Sequence, residues 1–421
     1  ANPVRSLSIS RYGLRNVLLL QGPLGPFFSH LASHMQDKGI KIHRIHFNGG
    51  DAFYSNVGQR IDYCDTPQAW HTLRDNYIEQ QQIDTLFCYG DCRFYHKIAQ
   101  RVCQQRNIPI WVFEEGYLRP DFITLERSGT NANSEWFALR EHFPVLPKSE
   151  PSRQRRLIGS TFFRRAWYAT SYYLAMYFRQ SRFPHYLHHR SHSVPGEALA
   201  WIKGGWIKLT SQRRDRRLVE ALQAHAGNLF LVPLQVADDF QVKEHSPYAC
   251  ISQFVDQVIT SFAMHSLPEQ QLLFKHHPMD RGHTNYGDLI SEVANRLGVA
   301  HRVFYGHELP LPTLYPLCRG VITINSTVGL SSLRRNVPTL TLGEALYDMP
   351  GVTSQCSLDA FWQHPEPVNA EKVSQLRYFL LCTNQLNCSF YRYLDHSCDE
   401  VWHWLQQHEK ARIVPRPPQS E

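Results

Sequence analysis

Over its first quarter the chain alternates short apolar runs with longer segments of helical character. Val17–Leu20 is an apolar run that breaks at Gln21-Gly22-Pro23-Leu24-Gly25-Pro26, and Phe28–Lys38 reads as a helix ended by Gly39. Ile42–Phe47 is a second strand, Pro67–Gln80 a helix, Thr85–Tyr89 a third strand and His96–Arg106 another helix. Ile110–Phe113 is the fourth strand. Strands separated by helical segments of this length predict a doubly wound parallel sheet.

Between about residues 144 and 200 the pattern breaks. Pro144–Ser152 is linker-like, and Phe162, Phe163, Trp167, Tyr168, Tyr172, Tyr173, Tyr177 and Phe178 follow among arginines. This segment reads as a helix whose aromatics either pack on the core or form a membrane-interface face. A second α/β series then begins, with a helix over Arg216–His225, a strand over Leu229–Pro233 and a helix over Ile251–His265. The strand Gln271–Lys275 ends at His276-His277-Pro278, a helix covers Tyr286–Leu297, and Val303-Phe304 is a short strand. Gly320–Ile324 is a strand that ends at Asn325-Ser326-Thr327-Val328-Gly329, where another helix starts, and Thr339–Leu342 is the last strand. The tail from Ala370 to Arg412 reads as helices. The predicted fold is α/β and GT-B-like: two Rossmann-like domains with a cleft between them and a C-terminal helix crossing back. The expected boundaries are 1–195, with the basic and aromatic segment at 150–192, then 196–375, then helices over 376–421 that pack back on the N-terminal domain.

A chain of 421 residues is too long for one compact core, which agrees with two domains or more. No apolar run approaches the roughly 18 residues that would span a bilayer. Ala1–Arg15 carries Arg5, Arg11 and Arg15 ahead of a short apolar run, and reads as the lead-in to a strand and not as a signal peptide. The ten cysteines are scattered, and Cys88 and Cys92 lack a second pair that would complete a zinc site. Free thiols in a reducing cytoplasm are expected. The net charge of +7 is unevenly placed, because eight arginines from Arg153 to Arg190 fall within 38 residues and Arg213, Arg214, Arg216 and Arg217 follow. Such clusters attract nucleic acid, a phosphate-bearing substrate or anionic lipid headgroups. No RNA- or DNA-binding motif supports the first of these.

The candidate chemistry sits at strand ends. Glu114 and Glu115 lie where the fourth strand stops, followed by Gly116 and Arg119. Ligands of open α/β sheets bind outside the carboxyl ends of strands, and paired acids there suit acid/base work. Asp238 and Asp239 follow another strand and could place carboxylates on the opposite wall of the cleft. Glycosyl transfer needs such groups as nucleophile, stabiliser, acid or base. Pro278 biases His277 toward an extended conformation, and Lys275 and Arg281 add positive charge suited to a phosphate. Asn325, Ser326 and Thr327 can form an anion pocket at a helix start, with Gly329 allowing close approach, although plain helix capping explains them equally well. The loop Gln21–Phe28 lacks GxGxxG, and GxxxxGK[ST] is absent. Nicotinamide and ATP chemistry therefore lose ground. No acidic cluster has divalent-metal spacing.

Five tracts together resemble the bacterial capsule polysaccharide β-Kdo transferases of the KpsS/LipB type. They are Gln21-Gly22-Pro23 with Gly25-Pro26-Phe27-Phe28, FEEGYLRPDFITLE from Phe113 to Glu126, KHHPMDRG from Lys275 to Gly282, NSTVGL from Asn325 to Leu330, and Tyr347-Asp348-Met349-Pro350-Gly351. The resemblance implies a retaining enzyme of the cytoplasm, peripheral on the inner membrane. It would move Kdo from CMP-Kdo to lysophosphatidylglycerol or a similar anionic lipid, adding the first β-Kdo of a poly-Kdo linker. By this resemblance Asp239 is the nucleophile, with Asp238 as the alternative, and Glu114 and Glu115 serve acid/base work or acceptor positioning. Domain 1–195 takes the acceptor, with Gln21, Gly22 and Arg119 in the cleft. Domain 196–375 takes the CMP-sugar, through Lys275, His277, Pro278, Asn325, Ser326 and Thr327. Arg164, Arg165 and Trp167 are expected to meet lipid headgroups. No cofactor and no metal are expected, and other capsule assembly proteins are further candidate partners. Two rival readings are an inverting CMP-sugar transferase, similar to sialyltransferases in its His-Pro pair, and a non-catalytic scaffold of the capsule export complex.

Overall fold

The computed structural model describes residues 14–90, 93–127, 155–188, 194–235 and 246–413. Six strands come first: β1 (Asn16–Leu19), β2 (Lys41–His46), β3 (Gln59–Asp62), β4 (Thr85–Tyr89), β5 (Ile110–Glu115) and β6 (Ile123–Arg127). Five more belong to the second half: β7 (Leu229–Pro233), β8 (Gln271–Lys275), β9 (Val303–Gly306), β10 (Cys318–Thr323) and β11 (Thr339–Thr341). A last short strand, β12 (Gln385–Leu386), lies near the end of the chain. They form a seven-stranded sheet in the order β12-β6-β5-β4-β1-β2-β3 and a five-stranded sheet in the order β11-β10-β7-β8-β9.

The second sheet is parallel throughout, and the first is parallel from β5 to β3. Helices cover both faces of such sheets, so their inner strands are buried on both sides and read as unbroken apolar runs. Leu86, Val112, Leu231 and Leu273 are fully buried in this way. In each sheet the chain starts in the middle and works outward in both directions, from β1 to β3 and from β4 to β5, then from β7 to β9 and from β10 to β11. Topological switch points therefore fall between β1 and β4 and between β7 and β10.

The helices used below are α1 (Phe27–Asp37), α2 (Gly49–Phe53), α3 (Trp70–Gln80), α4 (Phe94–Gln105), α5 (Phe162–Phe178) and α6 (Val194–Leu222). They continue as α7 (Ile251–His265), α8 (Gly287–Arg296), α9 (Val328–Arg334), α10 (Ala370–Thr383) and α11 (Leu394–Ile413). The α/β plan predicted from the apolar runs is present, with four local differences, the last of them in α6. First, β5 continues through both glutamates, because β6 returns antiparallel and pairs Glu114 with Thr124 and Glu115 with Ile123. Gly116 makes this return possible, since a Cβ there would overlap the Phe122 carbonyl. Second, α2 and β3 carry no apolar run: β3 is an exposed edge strand, and Asn48 caps α2 by accepting from the Asp51 N–H. Third, the tail is not helical throughout. After α10 the chain enters β12, which pairs antiparallel with β6. It then forms α11, whose Val401 and Leu405 share one core with Phe27, Leu31 and Phe113 of the first half. Helix α10 bridges the halves: its Leu376 and Leu380 pack with Tyr117 and Leu118 from one side and with Leu330 and Leu333 from the other.

Helix α6 runs across the Gly204-Gly205 pair, well before the helix start predicted at Arg216. Gly204 faces the backbone of Gly282 in the loop after β8, and a Cβ on Gly282 would overlap the Ala200 carbonyl. Gly205 has open space around its missing Cβ. The two positions should therefore respond in opposite directions. Gly282→Ala is expected to cost about 1–3 kcal/mol, as overpacking does. Gly205→Ala should stabilise by about 0.5–1 kcal/mol through helix propensity. Urea unfolding midpoints of the two variants check both signs.

Candidate active site

A cavity of about 250 Å³ lies between the carboxyl end of β5 and the loop after β8. Glu115 and Arg119 line it from the first half, Pro278 and Arg281 from the second, and Arg165 and Lys208 from α5 and α6. The carboxyl ends of the two sheets thus contribute to one space, which is where the strand-end rule puts chemistry.

Glu115 is the best-connected carboxylate in it. Its Oε1 accepts from the Tyr391 hydroxyl at 2.8 Å and the Tyr89 hydroxyl at 3.3 Å, and lies 3.3 Å from Arg165 Nη2. Burial alone would push this carboxyl up, but Arg165 and Arg119, helped by the two hydroxyls, outweigh it and hold it below the usual range. Arg165 is likewise held protonated against its own burial, chiefly by Glu115. Glu115 is therefore ionised at neutral pH and is a weak proton carrier. Glu114 does not join it in the cavity. Successive side chains of a strand point to opposite faces, and Glu114 turns toward Gly90. The adjacent glutamates are not a catalytic pair on one wall.

Arg165 requires a correction. It was expected to meet lipid headgroups beside Arg164 and Trp167, but it points into the cavity, with its guanidinium 4.7 Å over the Tyr391 ring. Neighbours on a helix are turned about 100° apart, so Arg164 and Trp167 remain at the surface while Arg165 does not.

On the second wall, Pro278 starts a short 3-10 turn that His277 caps, its Nδ1 accepting from the Met279 N–H at 3.0 Å. That bond places the ring proton on Nε2. Burial, and then the charges of Arg119, Lys275 and Arg165, push the His277 pKa well below its ordinary value. His277 is thus a neutral hydrogen-bond donor in the field of the first half's arginines, and it and Lys275 stand beside the cavity without lining it. Lys275 is pushed down to about 8 by burial and by Arg281, against the opposing pull of Glu308 and Asp215. Glu308 pairs with Arg281 and lies 3.6 Å from Lys208 Nζ, while both cations stand about 5 Å from the Phe162 ring centre, at 4.9 and 5.1 Å.

Asn325, Ser326 and Thr327 follow β10 but do not line this cavity. Asn325 exchanges two hydrogen bonds with Gln235 beyond β7, at 2.8 and 3.1 Å. Ser326 Oγ accepts from the Val328 N–H at 3.2 Å, a local turn that leads into α9. The space beside Gly329 is filled by Tyr347, so its missing Cβ serves packing and not ligand approach. Gln21 is buried, donating to Asp51 at 3.1 Å and to the Tyr186 hydroxyl at 3.1 Å. Gly22 is pressed against the Phe28 ring. Neither reaches the cavity, because the loop after β1 turns into the core. Asp238 and Asp239 lie in residues 236–245, outside the described residues. Sequence reasoning missed Tyr391 and Lys208. Both sit in tracts without a motif, and only the returning tail and the long α6 bring them to the cavity.

A profile described as "Capsule polysaccharide biosynthesis protein" matches residues 84–391. The chain belongs to this capsule polysaccharide biosynthesis family. The matched span contains every cavity residue named above, from Glu115 to Tyr391. Among its relatives, the Escherichia coli capsule polysaccharide export protein KpsS is 37% identical over 90% of this chain and 97% of its own. The capsule polysaccharide modification protein LipB of Neisseria meningitidis serogroup B is 36% identical over 89% of this chain and 91% of its own. Among solved structures, the β-Kdo 2,7 transferase part of Thermosulfurimonas dismutans KpsC aligns with a TM-score of 0.42 and 11% identity, over 93% of this chain and 99% of that one.

In this family member the two neighbouring arginines should separate cleanly by experiment. Arg165→Met removes one partner of a largely buried ion pair and is expected to cost about 2–4 kcal/mol. Arg164→Met, at the surface, should stay within about 0.5 kcal/mol. The Glu115 contribution is fully present above its unfolded pKa near 4.5 and is lost as pH falls through the lowered folded value. The stability gap between wild type and Glu115→Gln should therefore narrow in acid, as measured by denaturant midpoints across pH.

Proposed function

We propose that this protein is a retaining glycosyltransferase that moves Kdo from CMP-Kdo to a lysophosphatidylglycerol acceptor, adding the first β-Kdo of a capsule's poly-Kdo linker. The observation that carries this reading is the charge of the cavity. Arg119, Arg165, Lys208 and Arg281 line it, against Glu115 in the lining and Glu308 behind Arg281 and Lys208, which leaves the cationic groups in excess. Donor and acceptor would bring a phosphate, a sugar carboxylate and a phosphodiester to one place, and guanidinium groups bind such oxyanions with two parallel hydrogen bonds. Membership of a capsule biosynthesis family supports the same pathway.

In this reading Asp239 is the nucleophile. It attacks the anomeric carbon of Kdo, the bond to the CMP phosphate breaks, and CMP leaves as the monophosphate. The acceptor hydroxyl then displaces the carboxylate, with net retention, and Asp238 takes its proton. Glu115, held ionised, fixes Arg165 and Tyr391 in position. His277 donates its Nε2–H to the CMP phosphate beside Lys275, and the Asn325–Thr327 turn bounds the ribose side. No metal is assigned a role, because CMP-Kdo already carries its activating phosphate. The enzyme would work in the cytoplasm, peripheral on the inner membrane.

The deciding experiment follows CMP release from CMP-Kdo made in situ, with a fluorescent lysophosphatidylglycerol acceptor and mass spectrometry of the lipid. A single Kdo adduct that disappears with Asp239→Ala is the expected result. No adduct from folded protein, with CMP-Kdo intact, would overturn the reading in favour of a scaffold in the export complex. A second expectation concerns pH. Lys275 is cationic below about 8 and neutral above it. The apparent affinity for CMP-Kdo should therefore fall as pH rises through that range, and Lys275→Met should remove the dependence.

A further inference from the structure

Helix α6 carries Leu199, Ile202, Trp206 and Leu209 at 65%, 61%, 68% and 59% exposure. At 100° per residue these four positions fall within one arc of about 80°. Isolated exposed hydrophobics are ordinary, but a straight stripe of four large ones over three turns marks a contact surface. Helix α5, packed against α6, has its own stripe. Phe163, Trp167, Leu174 and Phe178 are exposed on one side of it, Trp167 at 68% and Phe178 at 77%.

The charges around these stripes have one sign. From Ser160 to Arg217 the chain contains two acids, Glu197 and Asp215. Both are fully buried. Glu197 pairs with His283 at 2.8 Å, and Asp215 accepts the backbone N–H groups of His307 and Glu308. The exposed charges of the described part of this stretch, including Arg164, Lys203, Arg213 and Arg217, are all positive. Arg213 and Arg217 continue the arc of the α6 stripe. An apolar stripe running into a basic one, with both acids of Ser160–Arg217 withdrawn to the interior and the first exposed acid of α6 being Glu220 in its last turn, matches a surface that is oily within and anionic at its face. Among the described residues no helix is long and apolar enough to cross a membrane, so this face would rest on a bilayer and not span it.

We propose that α5 and α6 dock the protein on an anionic lipid bilayer, with Leu199, Ile202, Trp206 and Leu209 entering the acyl boundary and Lys203, Arg213 and Arg217 meeting the headgroups. The same two helices give Phe162, Arg165 and Lys208 to the cavity from their other sides. A docked molecule therefore holds its cavity about one helix diameter, ~10 Å, from the lipid surface. This deepens the lipid-acceptor reading above by naming the surface from which the acceptor arrives, while the docking itself requires no transfer chemistry.

The test is co-sedimentation of the full chain with phosphatidylcholine vesicles, with and without phosphatidylglycerol. Wild type should sediment with the phosphatidylglycerol vesicles and be released by salt. Ile202→Glu with Trp206→Glu should weaken binding by more than about tenfold, with an unchanged Tm because neither side chain is buried. If the double variant melts early, Trp206→Ser gives the same reading with a smaller change. Wild type left in the supernatant, or a folded variant that sediments as well as wild type, would overturn the proposal and point to a protein partner. Vesicle binding is scored without donor or acceptor. Failure of docking and failure of the transferase assignment are thereby separate results.

Discussion

One carboxylate oxygen holds the cavity together. Glu115 Oε1 gathers Tyr89 from β4, Arg165 from α5 and Tyr391 from the returning tail. The farthest of these from Glu115 along the chain, Tyr391, is 276 residues away. A charge of this kind, largely out of water, is tolerated only when its partner and its hydrogen bonds are all in place. Geometry at the site is therefore all or none. The arginine that faces the cavity, the ring it lies over and the strand end that carries the acid are fixed by the same contact.

The second wall is arranged on the opposite electrostatic principle. His277 is kept neutral and Lys275 is pushed toward deprotonation by desolvation and neighbouring cations, with Glu308 and Asp215 opposing this at Lys275. Glu308 answers Arg281 and Lys208 on this side, so their side chains are held in place as Arg165 is by Glu115. Both walls thus supply rigid charge, and the second adds at Lys275 charge that responds to what is bound.

Much of the fold could be read directly. The inner parallel strands announce themselves because burial on both faces leaves their centres apolar, and Val17–Leu20, Thr85–Tyr89, Leu229–Pro233 and Gln271–Lys275 fall within a residue or so of the observed elements. What escaped detection depends on distant partners. Strand β6 has meaning only against β5, β12 only against β6, and the Gly204-Gly205 pair looks like a helix breaker until Gly282 is seen across from it. The site divides in the same way. Strand-end placement pointed to Glu115, Arg119 and Pro278, which line the cavity. It could not separate Glu114 from Glu115, which needs the extra strand residues that β6 induces, nor Arg164 from Arg165, which needs the helix phase. Asn325 and Gly329 carried a ligand-like pattern and turned out to be engaged by Gln235 and Tyr347.

The return of the tail has a consequence for the order in which the molecule is made. The core beneath the first sheet contains Phe27, Leu31 and Phe113, and also Phe390, Val401 and Leu405. A chain emerging from the ribosome delivers its N-terminal half first. Yet that half cannot close its core until the second half has been synthesised in full. The later sheet, whose strands all lie between Leu229 and Thr341, has every strand available earlier than that. The half that is translated first is thus the half that is finished last, and until then its apolar surface is left for chaperones to cover.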